Sequence, residues 1–406
     1  MAKPSVLLLG FTVPDAIARS LFALDPGPEV QTHKFAWSLA RSLQSEFGKL
    51  VLASACPIQN YPVGRKLVLR GGPFDEQGVG GVLLGFVNLL VLKHLTRFFA
   101  CLWTVPRLMV RHEVDWLFIH GTHTPFLLFG ILARSFGKRV VVVVTDPPGV
   151  LLPTDSALAR VLKRLDIWLV SQSLTHVDAI IALAPELVKR FAVCKPVLVF
   201  PGILDSTLAK KIDEARPPLA GPAKPFTIVY AGGLSQAYGV GRLLDAIAGL
   251  DGHPVCMKLF GRGDQVPRIK ALAASDARFQ YGGFIGDDQL VPELLSADLL
   301  VNPRPTQDAF AVMSFPSKLI EYLAMGRPVL TTRITSIPET YRPHFLFIDD
   351  ESPEGIRRAI LTVMATCSID REAHALRAQA FICVEASEVA VGQRIAELVR
   401  STNSIR

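Results

Sequence analysis

Short apolar runs closed by glycine or a polar residue alternate with helix-length amphipathic segments along the chain. Ser5-Val-Leu-Leu-Leu-Gly10 is such a run, and its lack of polar alternation predicts a strand buried on both faces of a parallel sheet. After a Pro/Gly-rich loop at Asp25 to Pro28, Thr32 to Gln44 carries Phe35, Leu39 and Leu43 at helical spacing, with basic residues between them. Strand-like runs recur at Lys49 to Ala53, Trp116 to His120, Arg139 to Thr145 and Ala179 to Leu183, and this alternation predicts βαβ units. A second series begins at Phe226 to Gly233. It continues at Val255 to Gly261, Phe279 to Tyr281, Leu299 to Asn302, Pro328 to Thr331 and Phe345 to Ile348. The expected organisation is a domain over 1-215, a proline-rich linker over 216-225 and a second domain over 226-383. A final segment, 384-406, holds a helix that packs back on the first domain. The predicted class is α/β, with two Rossmann-like, doubly wound parallel sheets facing a cleft, a division that 406 residues readily support.

Composition narrows the function classes. Half the residues are hydrophobic, 19% are charged and the mean hydropathy is +0.35, yet no apolar run is long enough to span a bilayer. A net charge of +7 and a pI near 9.1 favour an anionic partner: a phosphate-bearing substrate, an acidic membrane surface or nucleic acid. No nucleic-acid module or basic stripe with interleaved aromatics is present, so nucleic acid is not expected. The six cysteines lack CxxC spacing and read as reduced core residues in a cytoplasmic protein without structural zinc. Met1 to Gly10 reads as a first strand and not as a signal peptide. The run Val79 to Leu92 leads into Lys93, His94 and Arg97, then Phe98 to Pro106. Two readings stay open for it: a peripheral surface on the inner face of the cell membrane beside a lipid-linked acceptor, or one or two buried helices.

Ligands of open parallel sheets bind beyond the carboxyl ends of the strands. Gly232-Gly233-Leu234-Ser235-Gln236 follows a predicted strand and opens a helix, which lets backbone amides approach a phosphate; an ordinary strand-to-helix turn has the same residues. Arg262 in Gly261-Arg262-Gly263-Asp264 is a candidate for the ligand or a solvated loop cation. Gly283, Phe284 and Ile285 in Tyr281 to Gly286 suit a flat base laid against exposed backbone. Asn302-Pro303-Arg304-Pro305 precedes Ser314 to Val329, in which Pro316, Ser317 and Lys318 start a short helix that Gly326 and Pro328 end. A charge-assisted hydrogen bond from Lys318 to a diphosphate contributes about 1.5–3 kcal/mol. Helix amides and dipole contribute about 0.3–2 kcal/mol. Glu321 stands nearly one turn beyond Lys318, where its carboxylate either accepts hydrogen bonds from paired sugar hydroxyls or serves a cap or ion pair.

These motifs occur in an order that resembles glycosyltransferase family 4: Gly232-Gly233-Leu234, Tyr238-Gly239-Val240, Gly261-Arg262-Gly263, Gly282-Gly283-Phe284, Ala297 to Pro303 and Phe315 to Val329. The likeness covers residues 226 to 345 well and the N-terminal half in outline. It implies the GT-B fold and sugar transfer with retention of configuration from a nucleoside-diphosphate sugar to a glycan or lipid-linked glycan. The motif variant is similar to members from bacterial surface-polysaccharide synthesis. By resemblance, Glu321 binds the donor ribose, Ser317 and Lys318 meet the diphosphate, and Gly283 to Ile285 line the base pocket. The sequence departs from the family twice. Met313 stands eight positions before Glu321, where the first glutamate of the family's pair belongs, its function lost or displaced to Asp308. Leu234 and Tyr238 replace the usual Arg and Lys after the first strand of the second domain. Phosphate charge then falls to Lys318, Arg304 and Arg262. Met313 keeps a second reading open, a GT-B epimerase or a non-catalytic sugar-nucleotide binder.

In the N-terminal half, His120 ends a predicted strand and matches, better than His123, the family histidine that contacts the transferred sugar. Either histidine is also an ordinary polar or core residue at such a place. Asp146 is the carboxylate at a second strand end and is equally a helix cap. Gly10 to Asp15 and Gln31 to Lys34 are candidates to face the acceptor. No hydrolase-type carboxylate pair and no DxD metal motif stands out. The expected catalysis therefore uses positioning and electrostatics, without a metal or other cofactor.

Overall fold

A computed structural model describes residues 3–22, 30–147, 156–189, 191, 194–215, 225–307, 313 and 315–404. Its contacts divide the chain into two units, Met1–Ile203 with Glu388–Arg406, and Leu204–Ser387. The expected linker lies outside the described residues apart from Pro225, as does Asp308.

The first unit contains β1 (Ser5–Gly10), β2 (Lys49–Ser54), β3 (Val68–Leu69), β4 (Gly72–Glu76), β5 (Val79–Leu83), β6 (Phe86–Val87), β7 (Trp116–His120), β8 (Arg139–Val144), β9 (Ala179–Ala182) and β10 (Val197–Val199). Eight of these form one sheet in the order β10-β9-β8-β7-β1-β2-β5-β4, while β3 and β6 pair separately. All neighbours in the sheet are parallel except the β4–β5 hairpin. At the hairpin turn Gln77 and Gly78 both have positive φ, 55° and 74°, the backbone a type I′ turn demands. That turn corrects a sequence expectation. Val79–Leu83 and Phe86–Val87 are strands, and the helix begins only at Leu90 and runs to Arg111. The β-branched Val79, Val82 and Val87 favour extended backbone, and the hairpin supplies the partner strand.

The second unit contains β11 (Phe226–Gly233), β12 (Val255–Arg262), β13 (Phe279–Gly283), β14 (Leu299–Asn302), β15 (Val329–Thr332) and β16 (Leu346–Ile348). They form one parallel sheet ordered β13-β12-β11-β14-β15-β16, the doubly wound dinucleotide-fold order, whose switch point lies between β11 and β14.

Burial explains where the units divide. Leu208 and Ile212, on the helix Ser206–Glu214, join the core of Val229, Leu294, Leu319 and Leu323. That helix therefore belongs with the second unit, although the sequence reading placed it in domain 1-215. Val391, Ile395, Leu398 and Val399 of the helix Glu388–Ser404 join Trp37, Trp116 and Phe118 in the core of the first unit. There the Arg41 Nε–Glu388 Oε1 ion pair spans 2.7 Å. The final helix begins at Glu388, after a separate helix Ser368–Glu385. Three of the six free cysteines, Cys56, Cys101 and Cys256, are buried; Cys194, Cys367 and Cys383 are exposed and so are not core residues.

Candidate donor and acceptor sites

In the second unit, β11 continues past its register with β14, which covers Ile228 and Val229. The Ala231 N–H beyond that register is taken by the Tyr322 hydroxyl at 2.8 Å, which donates back to the Ala231 carbonyl at 3.1 Å. Tyr322 is 1% exposed, and burial holds its phenol well above the usual range, so it stays protonated and able to donate. This pin fixes the helix Lys318–Ala324 against the switch point. Lys318 is consequently laid across the end of β11: a Cβ built on Gly232 would lie 2.9 Å from Lys318 Cε and 3.3 Å from Cδ. Gly232 is glycine because that stem occupies the space a side chain would need. Ser317 is exposed and caps no helix amide with its side chain. Glu321 is half-buried, and among the described residues its carboxylate has no hydrogen-bond or ion-pair partner. The cap and ion-pair readings of Glu321 thus have no support among those residues.

The loops around this point pack backbone against backbone. Gly261 has φ +137°, with its hypothetical Cβ 1.8 Å from the Gly232 carbonyl, and Gly239 has φ +79°, with its Cβ 2.0 Å from the Pro303 carbonyl. Only glycine permits either approach. Gly233 lies under the Tyr238 ring, 2.5 Å from a built Cβ, and the Tyr230 hydroxyl donates to the Gly233 carbonyl at 2.8 Å. Arg304, 6% exposed, follows β14 with its guanidinium 5.4 Å from the Tyr238 ring. The structure thus gathers Gly232, Gly233, Tyr238, Arg304 and Lys318. Asp264 accepts from the Gln236 amide at 3.2 Å. Its carboxyl is held down to about 2 by hydrogen bonds from Ser235, Gln265 and Gln236.

Arg262 and Phe284, both exposed, stack with the guanidinium 4.3 Å from the ring centre. Gly283 has φ +77° with nothing within 4 Å of its Cβ position, while Gly282 lies against the Phe260 ring. Ile285 is partly buried against the core. Arg262, Gly283 and Phe284 therefore make an open, flat-faced platform. Asn302 is spoken for: its carbonyl accepts from Thr331 Oγ1 at 3.0 Å. Met313 is half-buried. Sequence reasoning missed Tyr322, whose aromatic ring reads as ordinary helix core, and Tyr230.

In the first unit the sheet order changes direction at β1 and β7, and His120 ends β7 there, against Gly10 of β1 (Cβ to Cβ position 2.7 Å). His120 is 1% exposed, between Phe35 at 5.4 Å and Phe11 at 6.2 Å. Burial lowers its pKa to about 4, and Nδ1 has no hydrogen-bond partner among the described residues. His123 Nε2 lies 3.2 Å from Arg97 Nη1, and burial, then Arg97, push its pKa well down. The two acceptor-facing candidates meet, since His33 Nε2 lies 2.9 Å from Asp15 Oδ1. Asp146 lies two residues after the end of β8, and residues 148–155 lie outside the described ones. Among the described residues no group of three or more His, Cys, Asp or Glu side chains has a metal-holding arrangement.

Residues 225–366 match the family model described as Glycosyl transferases group 1. Two Mycobacterium tuberculosis proteins, from strains H37Ra and CDC 1551, each a GDP-mannose-dependent alpha-(1-6)-phosphatidylinositol dimannoside mannosyltransferase, are 29% identical over 140 residues. That match covers 34% of this chain and 35% of each relative, about a third of their length. Among solved structures, sucrose-phosphate synthase from Thermosynechococcus elongatus superposes with a TM-score of 0.68 at 13% identity, covering 99% of this chain and all of its own. Anabaena HepE in complex with UDP gives 0.63 at 16% identity over 98% and 100%. A glycosyltransferase from Rickettsia africae ESF-5 gives 0.64 at 12% over 99% of both chains. The chain has the GT-B fold.

Proposed function

Residues 225–366 carry the glycosyl transferases group 1 domain of a chain with the GT-B fold, and from that premise we propose that the protein is a glycosyltransferase. It moves a sugar from a nucleoside-diphosphate sugar to a glycan or lipid-linked glycan in polysaccharide biosynthesis, with retention of configuration. The observation that carries this reading is the pairing of Lys318, laid over the Gly232 backbone, with the uncommitted carboxylate of Glu321. In this reading the departing diphosphate sits at the switch point of the second unit. Its growing negative charge meets Lys318 and Arg304, and no resident metal takes part. Charge held by fixed groups in a low-dielectric site costs no reorganisation during the reaction, which is why such stabilisation dominates transfer rates. Glu321 accepts from the ribose hydroxyls, and the Arg262–Phe284 platform stacks on the base. His120, neutral at pH 7, is the candidate of the first unit for contact with the transferred sugar. Support comes also from the relatives: the mycobacterial enzymes are named as GDP-mannose-dependent mannosyltransferases, and HepE was solved with UDP and with UDP and glucose.

The test is incubation of the purified protein with a panel of nucleoside-diphosphate sugars and glycan or lipid-linked acceptors, with and without a chelator. The linkage formed is read by NMR. Transfer with retention and indifference to the chelator are expected; inversion, or strict dependence on a divalent ion, contradicts this reading. Met313, in place of a glutamate, favours one alternative, a GT-B epimerase or a silent sugar-nucleotide binder. Nucleotide binding with no acceptor modified, or with the donor sugar epimerised, would select it.

A further inference from the structure

The helix Leu90–Arg111 buries Cys101, Val105 and Met109 but leaves many of its large apolar side chains exposed. Its buried side includes Lys93 and Arg97, 8% and 3% exposed, which donate to backbone carbonyls of Ile58 (2.5 Å) and Cys56 (2.8 Å). Its outward side carries Leu92, Leu95, Phe99, Trp103 and Val110, between 41% and 79% exposed. The first four recur at three- and four-residue steps and Val110 lies seven residues beyond Trp103, so they share one exposed apolar stripe. Its neighbours also expose large apolar side chains. Thr124–Ser135 exposes Leu128 and Leu132, with Phe136 just beyond, and Ala157–Thr175 exposes Leu158, Val161, Leu162, Leu165 and Trp168. The three helices pack side by side within the first unit, the second touching both others. Such a contiguous apolar face is far more than the scattered exposed residues of an ordinary surface.

Charge identifies the occupant. The three helices hold eight Lys and Arg residues against one acid, Asp166; Lys93 and Arg97 are buried and Arg134 pairs with Asp178, so the cations at the surface are Arg107, Arg111, Arg160, Lys163 and Arg164. Their excess of seven equals that of the whole chain, so the remaining residues are balanced. A second copy of this face would set cation against cation. An anionic lipid surface satisfies both features at once, because aromatic and aliphatic side chains enter the acyl boundary while flanking cations meet headgroups. Trp103 carries Arg107 over its ring at 3.8 Å, an aromatic body with a cation at its rim. Among the described residues no helix is long and apolar enough to cross a membrane, so the contact is in the plane of the interface.

We propose that the outward faces of Leu90–Arg111, Thr124–Phe136 and Ala157–Thr175 form one docking surface for an anionic bilayer. The inference extends the proposed use of a lipid-linked acceptor and rests on that reading for its purpose. The experiment is co-sedimentation of the full-length protein with phosphatidylcholine vesicles with or without phosphatidylglycerol, at low and high salt, with quenching of tryptophan fluorescence by brominated lipid. Trp103→Glu and Leu165→Glu, which alter exposed positions, are tested alongside, with circular dichroism as the check of folding. Expected are salt-sensitive binding to the anionic vesicles, quenching, and a loss of about tenfold in binding in each variant. Absence of binding at low salt overturns the proposal, as does binding that both variants retain. A concentration-dependent dimer that both variants dissolve also overturns it, assigning the face to a second copy. Nucleoside-diphosphate binding by the same preparations keeps the two readings apart. Its retention without vesicle binding refutes the surface alone, and its loss with vesicle binding retained refutes the donor site alone.

Discussion

His120 shows what burial does to one residue. With no charged neighbour to offset desolvation, its pKa is lowered to about 4, while the unfolded chain titrates near about 6.5. The unfolded state therefore binds more protons between those values, and stability must fall as pH drops through that window. The shift corresponds to a contribution of about 3 kcal/mol, present above pH ~6.5 and gone below ~4. Urea denaturation at a series of pH values should show this slope in the wild type and a shallower one in His120→Phe. An identical slope in both would mean that the ring is not held neutral by its aromatic surroundings. His123 is pushed the same way, so part of the slope should survive the substitution. The sequence placed His120 at a strand end, but its enclosure by Phe11 and Phe35 was not legible, because those rings arrive from distant segments.

Among elements, the short helix Lys318–Ala324 and the glycine-lined loops that receive it set the geometry of the proposed donor site. Tyr322→Phe removes the hydroxyl that holds Ala231 and leaves a buried backbone N–H unpaired, a cost of about 1–3 kcal/mol. Thermal denaturation should show that loss, and nucleotide affinity should fall with it although Tyr322 touches no ligand. Two glycine substitutions separate positioning from folding. In Gly232→Ala the new methyl meets side chains, the Lys318 stem at 2.9 Å and the Tyr230 hydroxyl at 3.3 Å, so the fold should survive while nucleotide affinity drops. In Gly261→Ala it meets the Gly232 carbonyl from a backbone with φ +137°, so the second unit should fail to fold. Expression with circular dichroism distinguishes them, and equal behaviour of the pair would contradict the assigned packing. The positions of the second unit's strands along the chain, the glycines at their ends and the limits of this helix were readable from apolar runs and punctuating Gly and Pro. The strands at Val79–Val87 were not, because their apolar continuity matches a helix as well as a sheet until the Gln77-Gly78 turn supplies a partner. Periodicity likewise reports that Leu90–Arg111 has two faces without reporting which is outward.

Across the whole molecule, the chain returns to its first unit only after completing the second. The helix Glu388–Ser404 supplies Val391, Ile395, Leu398 and Val399 to the core around Trp37 and Phe118. Each such side chain contributes about 1.5–3 kcal/mol of burial, so its removal rivals the entire stability of a domain, about 5–15 kcal/mol. Truncation after Ser387 should therefore leave the first unit unfolded, with early loss of tryptophan signal on heating; a truncated chain that melts like the full one would refute this dependence. The sequence announced the helix but not its true start at Glu388, nor that Ser206–Glu214 serves the other core, since both are decided by which apolar face finds a partner. The central claim, a nucleoside-diphosphate site built on Lys318 and Glu321, is tested most directly by calorimetric titration of nucleoside diphosphates into the wild type, Lys318→Ala and Glu321→Gln. Loss of a charge-assisted hydrogen bond of about 1.5–3 kcal/mol predicts at least about tenfold weaker binding in each variant. Wild-type affinity in both, or no nucleoside diphosphate bound by the intact protein, would contradict it.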